Sequence, residues 1–227
     1  MPLSRRLIAG AYIAWTLFVF AVTFLENGLS ADNVTHLRIA AYLALSVLAI
    51  PFLRRLADRY PLHLVFVAAC CTSAAVVETC YMISTPLHPS LIVDRGTGLG
   101  DALRNLGVDL AFTLPAYVLI FTVVWMLLRR IAYDAVDVAI LFAAGQAFGD
   151  GGAFFSTQPH MLLFLPYIML NYQAMTLVPF IALHERFPPA PQRSAWIRVP
   201  APIIVLPLVY FVAGASIILT GRALGVF

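Results

Sequence analysis

What most constrains this chain is a succession of apolar stretches, each about as long as a bilayer is thick. A spanning helix needs roughly 20 mainly apolar residues. Such stretches run over 7–25, 37–53, 62–84, 108–128, 131–149, 159–183 and 201–219. Only 11% of the 227 residues are charged, against about 25% in a soluble domain, whose surface has to be solvated. Most of the exterior must therefore face lipid. The fold class expected is all-α: a polytopic integral membrane protein, one domain, built as a bundle of seven transmembrane helices. The first stretch is too long for a signal-peptide core and has no small-residue cleavage site, so it is expected to remain as a helix.

Arginine placement sets the orientation. With the N-terminus inside, the cytoplasmic segments hold Arg5, Arg6, Arg54, Arg55, Arg59, Arg129, Arg130, Arg186, Arg193 and Arg198, and the outer ones hold Arg38, Arg95, Arg104 and Arg222. Cytoplasmic loops carry the excess of basic residues, so the N-terminus is expected in the cytoplasm and the C-terminus outside. The expected location is a bacterial-type inner (cell) membrane, crossed several times.

Some chemistry is excluded by composition. All 14 basic residues are arginine. Without a lysine amine no retinal or pyridoxal Schiff base can form, so a seven-helix count does not make this a pigment. Cys70, Cys71 and Cys80 share one apolar stretch without a CxxC pair, which supports neither a disulfide framework nor a zinc site. His36, His63, His88, His160 and His184 are scattered, with no HExxH spacing. No metal, cofactor or nucleic-acid partner is expected. The expected partners are membrane lipids and a hydrophobic small-molecule substrate.

Polar residues at membrane depth usually face a bundle interior or a wet cavity, and they gather in 131–186: Asp134, Asp137, Gln146, Asp150, His160, Asn171 and Gln173. Outside that segment Glu78 is the sharpest single residue. It stands roughly 24 Å along a helix entering at Leu62, at about 1.5 Å per residue. A carboxyl group shielded from water favours its neutral form, the form a general acid requires; the competing role is a hydrogen bond to a neighbouring helix. Asp150 lies in Gly149-Asp150-Gly151-Gly152, where glycines allow close backbone approach and are expected to end the fifth helix. Gln146 sits one turn earlier on the same face. Asp134 is expected to pair with Arg129 and Arg130, whereas Asp137 lies deeper. Asn171, Tyr172 and Gln173 cannot all face one way on a helix, and interhelical bonding is their commoner use. Glu26, Asp109 and His160 arrive on the outer side with Glu78 and Asp150. A cavity open to the outer half would account for these residues together. The catalytic candidates are thus Glu78 and Asp150, with Gln146, His160, Asn171, Tyr172, Gln173 and Asp137 as substrate-binding candidates.

Local motifs are less telling. Gly98-Leu99-Gly100-Asp101 matches the GxGD of intramembrane aspartyl proteases, but its Tyr133-Asp134 partner follows it instead of preceding it. The run Gly96-Thr97-Gly98 has no strand before it and is no phosphate loop. The stretch Glu78-Thr79-Cys80-Tyr81, followed by His88-Pro89-Ser90, resembles the acidic helix of the small seven-span terpene cyclases of meroterpenoid pathways, over about a dozen positions. That resemblance implies an intramembrane acid protonating an isoprenoid. The chain departs from the pattern in three ways: Val77 replaces the usual tryptophan, the helix is third and not second, and the last stretch has no carboxylate. Three classes stay open: an enzyme acting on a lipid or isoprenoid by acid–base chemistry, a proton- or cation-coupled transporter or channel, and a non-enzymatic subunit of a larger complex.

Overall fold

The computed structural model describes residues 3–82, 91, 93–94 and 96–225, apart from the side chain of Ala153. Every regular element among them is helical. Helix α1 covers Leu3–Asn27. Helix α2 (Ala31–Ser46) runs through a 3₁₀ turn (Val47–Ala49) into α3 (Ile50–Ala57), and α4 covers Leu62–Tyr81. Helix α5 (Leu99–Arg130) is followed by α6 (Ala135–Asp137), a π turn (Val138–Phe142) and α7 (Ala143–Thr157). A 3₁₀ segment (Pro159–Phe164) leads into α8 (Leu165–Leu183), a 3₁₀ turn (His184–Arg186) ends it, and α9 (Ala195–Arg198) precedes α10 (Pro200–Ala223). Among the described residues six helices are long and apolar enough to cross a membrane: 3–27, 31–57, 62–81, 99–130, 159–186 and 195–223. The chain is therefore a helical, multi-pass membrane protein. The expected stretch 131–149 falls for the most part in the helical run 135–157, which packs against α8 and α10.

Helix α8 is the hub. It is buried on nearly every face and mostly apolar, as suits a helix enclosed by others, and it packs against α1, α2, α3, α4 and α7. Large side chains such as Phe66, Phe121, Phe142, Met169, Met175 and Leu206 fill the spaces between helices and are fully buried. Polar side chains tie the helices together. The Tyr42 hydroxyl donates to Ser73 Oγ at 2.8 Å, joining α2 to α4. Trp15 Nε1 donates to the Leu163 carbonyl at 2.9 Å. Cys70, Cys71 and Cys80 are free thiols in α4.

Several boundaries differ from the sequence expectation. The segment 27–36, between the first two apolar stretches, is helical from Ala31, with Ser30 Oγ accepting from the Asn33 N–H at 3.3 Å as an N-cap. Asn33, Thr35 and His36 in it are buried because the bundle supplies partners. Asn33 Nδ2 donates to the Gly28 carbonyl at 2.7 Å, and the Tyr167 hydroxyl donates to Asn33 Oδ1 at 2.7 Å. Helix α5 starts at Leu99, nine residues before the apolar stretch 108–128. Residues 131–134 are not helical, and the capping box of Asp134 and Asp137 starts the next helix. That helix then continues through Gly149, Gly151 and Gly152. These glycines do not end it. A Cβ on Gly149 would lie 2.5 Å from Tyr210 Cβ, and one on Gly145 would strike the Pro202 carbonyl. Glycine lets α7 and α10 touch backbone to backbone, as small residues do at membrane helix contacts. The third expected span ends at Tyr81; His88, Pro89 and Ser90 lie outside the described residues.

Candidate functional site

Glu78, on α4, stands near the end of the bundle where α4 finishes and α5 begins. Helix α5 turns one face to it, with Asp109, Thr113 and Tyr117 at intervals of four residues stacked along that face. From α7 comes Asp150, from α8 Asn171 and Tyr172, and from α10 Tyr210. These side chains line one cavity of about 390 Å³, a size within the usual range for small-molecule sites. Val77, Ala116, Ile120, Ile168, Met175, Ala213 and Ile217 make the rest of its wall apolar, with Tyr81 completing the polar part. No arginine or histidine is found among the described residues that line it.

The carboxyl groups have different company. The Tyr117 hydroxyl donates to Glu78 Oε1. On the α7–α8 side the Tyr172 hydroxyl donates to Asp150 Oδ2 at 2.6 Å. Asp150 retains accessible surface although helices surround it, because it faces the cavity space. Asp109 is only 2% exposed, and its Oδ2 has no hydrogen-bond partner among the described residues. Buried polar atoms of this kind are normally satisfied.

Tyr81 joins the cavity to a second polar group. Asn171 Nδ2 donates to the Tyr81 hydroxyl oxygen at 2.6 Å, and that hydroxyl lies 3.2 Å from His36 Nε2. His36 Nδ1 lies 2.9 Å from the Asp32 carbonyl. The Tyr167 ring stacks on the imidazole with centroids 3.6 Å apart.

Of the residues singled out from sequence, Glu78, Asp150, Asn171 and Tyr172 share the cavity. Gln146 sits just behind the wall: it is fully buried, its Nε2 donates to the Phe142 carbonyl at 3.2 Å, and its Oε1 accepts from the Tyr210 hydroxyl at 3.3 Å. Gln173 points elsewhere, donating to the Tyr12 hydroxyl oxygen at 2.6 Å and to the Ala139 carbonyl at 2.7 Å. Three consecutive residues of α8 thus reach α4, α7 and α1. His160 is exposed on the 3₁₀ segment and is not part of the wall. Asp137 lies thirteen residues before Asp150, about 20 Å away along the same helical run. There it is bound by Arg5, whose Nη1 lies 2.7 Å from Asp137 Oδ1. Asp134 pairs with Arg5 at 3.4 Å and not with Arg129 or Arg130, because Arg5 reaches the helix start from α1. In the described loop, Asp94 Oδ1 accepts from the Gly96 N–H at 2.8 Å and the Thr97 hydroxyl at 2.9 Å, a local turn that holds the Asp94 carboxyl below its ordinary range.

Asp109 is placed by the sequence on the outer side with Glu78 and Asp150 but without a site role, and Tyr117 and Tyr210 are given no role by it. The four-residue spacing of Asp109, Thr113 and Tyr117 is a legible signal of one polar face; Tyr210 carries no such mark. Among the described residues, no group of three or more His, Cys, Asp or Glu side chains is placed to hold a metal ion. A second hollow of about 420 Å³, between α2–α3, α4 and α8, is almost wholly apolar and holds none of the carboxyl groups. Comparison with protein-family models, with curated proteins and with solved structures finds no match to this chain.

Proposed function

We propose that this protein is an integral membrane enzyme that acts on a lipid or isoprenoid substrate by acid–base chemistry in the Glu78–Asp109–Asp150 cavity. The observation that carries this reading is the pair of separately hydrogen-bonded carboxyl groups, Glu78 with Tyr117 and Asp150 with Tyr172, in one otherwise apolar cavity. With Glu78 in its acid form, Oε1 accepts from Tyr117 and the other oxygen is left to carry the proton into the cavity. Asp150, accessible at the cavity wall, receives a proton from another carbon of the substrate or faces the cation formed between the two steps. One proton is added and one is removed, so the substrate's composition is unchanged and the reaction class is an isomerisation or cyclisation. The tyrosine rings of the wall favour a developing cation through their π faces. Opposed groups of this kind, each held in a defined protonation state, are how acid and base roles are divided in one site.

The same reading takes the run 135–157 as a seventh crossing. The N-terminus is then cytoplasmic, the C-terminus outside, and the cavity in the outer half of a bacterial-type cell membrane, in keeping with the arginine asymmetry.

The test is Glu78→Gln, which keeps size and much of the hydrogen bonding while removing the transferable proton. Protein in lipid nanodiscs is incubated with an isoprenoid-lipid extract, and isomers are resolved by chromatography and mass spectrometry. Turnover should fall by about 10²–10⁴, the usual worth of a general acid, with little change in thermal stability. Equal turnover in both proteins would rule out the acid role and leave Glu78 as a helix tie.

A further inference from the structure

We infer that the ligand of this cavity brings its own hydrogen-bond donor, a hydroxyl or an amine at one end of an apolar body, and that Asp109 and Asn171 receive it. The inference rests on the reading of the cavity as a substrate site and specifies the chemistry of that substrate.

The direction of one hydrogen-bond chain carries the argument. The Asp32 carbonyl can only accept, so His36 Nδ1 must donate to it. A neutral imidazole then offers Nε2 as an acceptor, and the Tyr81 hydroxyl donates to it. Having spent its one proton, Tyr81 can only accept from Asn171, which fixes the amide with Nδ2 toward Tyr81. Asn171 Oδ1 is left as a buried acceptor without a partner among the described residues, in a residue only 7% exposed. Asp109 Oδ2 is a second buried oxygen without a partner among the described residues in the same wall, an acceptor when its carboxyl is ionised or carries its proton on Oδ1.

The other polar groups do not relieve this. Tyr117 and Tyr172 direct their protons to Glu78 and Asp150, and Tyr210 directs its own to Gln146 Oε1. Thr113 Oγ1 donates to the Asp109 backbone carbonyl at 3.0 Å. Every tyrosine and threonine hydroxyl proton in the described wall is therefore committed, the Glu78 proton is the one passed to the substrate, and no basic side chain is present there. Leaving a buried acceptor unpaired is costly, and a site that waits for a donor discriminates strongly against analogues lacking one. The apolar remainder of the wall suits a hydrocarbon body.

The experiment compares farnesol, farnesylamine and farnesyl methyl ether as competitors of radiolabelled farnesol on the full chain in nanodiscs. The ether keeps the shape and the oxygen but has no donor. Farnesol or the amine should bind at least about tenfold more tightly than the ether, as expected for one hydrogen bond to a buried acceptor. A stronger amine assigns a charged head, and a stronger alcohol a neutral one. Asn171→Leu should narrow the preference over the ether. The nearly isosteric Asp109→Asn should narrow it further, because its amide can donate to the ether oxygen. An ether that binds as well as farnesol overturns the donor assignment, as does a preference unchanged in both variants. In either case the Glu78→Gln loss of turnover remains as a separate measure of the acid role. Failure of all three compounds to bind overturns the assignment together with the apolar-substrate reading.

Discussion

Arg5 donates from both terminal nitrogens to Asp137, Nη1 to Oδ1 at 2.7 Å and Nη2 to Oδ2 at 3.1 Å, across 132 positions of sequence. Asp137 is 3% exposed, and Arg198 Nη1 lies 3.7 Å from its Oδ2. The same carboxylate closes the capping box by accepting from the Asp134 N–H at 3.2 Å. One buried charge thus fastens α1, α9 and the start of the 135–157 run at the end of the bundle away from the cavity.

Asp137→Ala should destabilise the protein by about 3–5 kcal/mol, the usual result of removing one member of a buried ion pair. Replacing Arg5 and Asp137 together with Met and Leu should recover much of that loss, because no charge is then left unpaired. Thermal unfolding in nanodiscs measures both. A single Asp137→Ala variant as stable as the wild type would show that the pair contributes nothing.

Gly149→Ala is expected to harm more than its one methyl suggests. The added carbon meets the Tyr210 side chain and the Pro207 backbone, so α7 and α10 must separate or Tyr210 must move into the cavity. Overpacking of this kind costs about 1–3 kcal/mol. Gly152→Ala, where a Cβ meets nothing within 4 Å, is the control and should be neutral or slightly stabilising. Equal melting temperatures for the two variants would remove the close-approach account.

Tyr117→Phe and Tyr172→Phe each delete one hydroxyl that donates to a carboxyl group. Interhelical hydrogen bonds in membranes average about 0.6 kcal/mol, so stability should change little. Turnover should fall much more, by roughly tenfold or beyond, because the orientation of the reacting carboxyl is lost. Loss of stability in step with turnover would mark these tyrosines as structural ties only.

The bundle was legible in outline. Length and apolarity located the helices, and Glu78, Asp150, Asn171 and Tyr172 were found from the cost of polar groups among apolar neighbours. What hydropathy could not convey was partnership. Asn33 and His36 look like loop residues until Tyr167 and Tyr81 are placed beside them. Asp137 looks like a site residue until Arg5 arrives from the far end of the sequence. The glycines around Asp150 have two physical meanings, helix end or close packing, and only the position of α10 decides between them. Depth along the helix placed Asp109 on the outer side with Glu78, but its place in the wall depends on how α5 turns against α4.

Sidedness has a direct check. Single cysteines at Asp58 and Leu224, in a background with Cys70, Cys71 and Cys80 replaced by alanine, should react with a membrane-impermeant maleimide from opposite faces, Leu224 from outside. Labelling of both from one face would reverse the proposed direction of the last helix.

The π turn at Val138–Phe142 lies between the anchoring charge and the cavity-facing carboxyl. A π turn holds one residue more than the α-helical turn it replaces, and Gln173 donates to the Ala139 carbonyl within it. An α-helix advances about 100° per residue, and the π turn takes up one residue without that advance. Deleting Ile140 should therefore restore an α-helical turn and leave Asp137 on Arg5, Gly145 and Gly149 against α10 and Asp150 at the cavity, with melting and turnover close to wild type. A deletion variant that loses both would show that the π turn is needed for the fold itself. The extra residue is slack within one helix, taken up between its two ends without disturbing either.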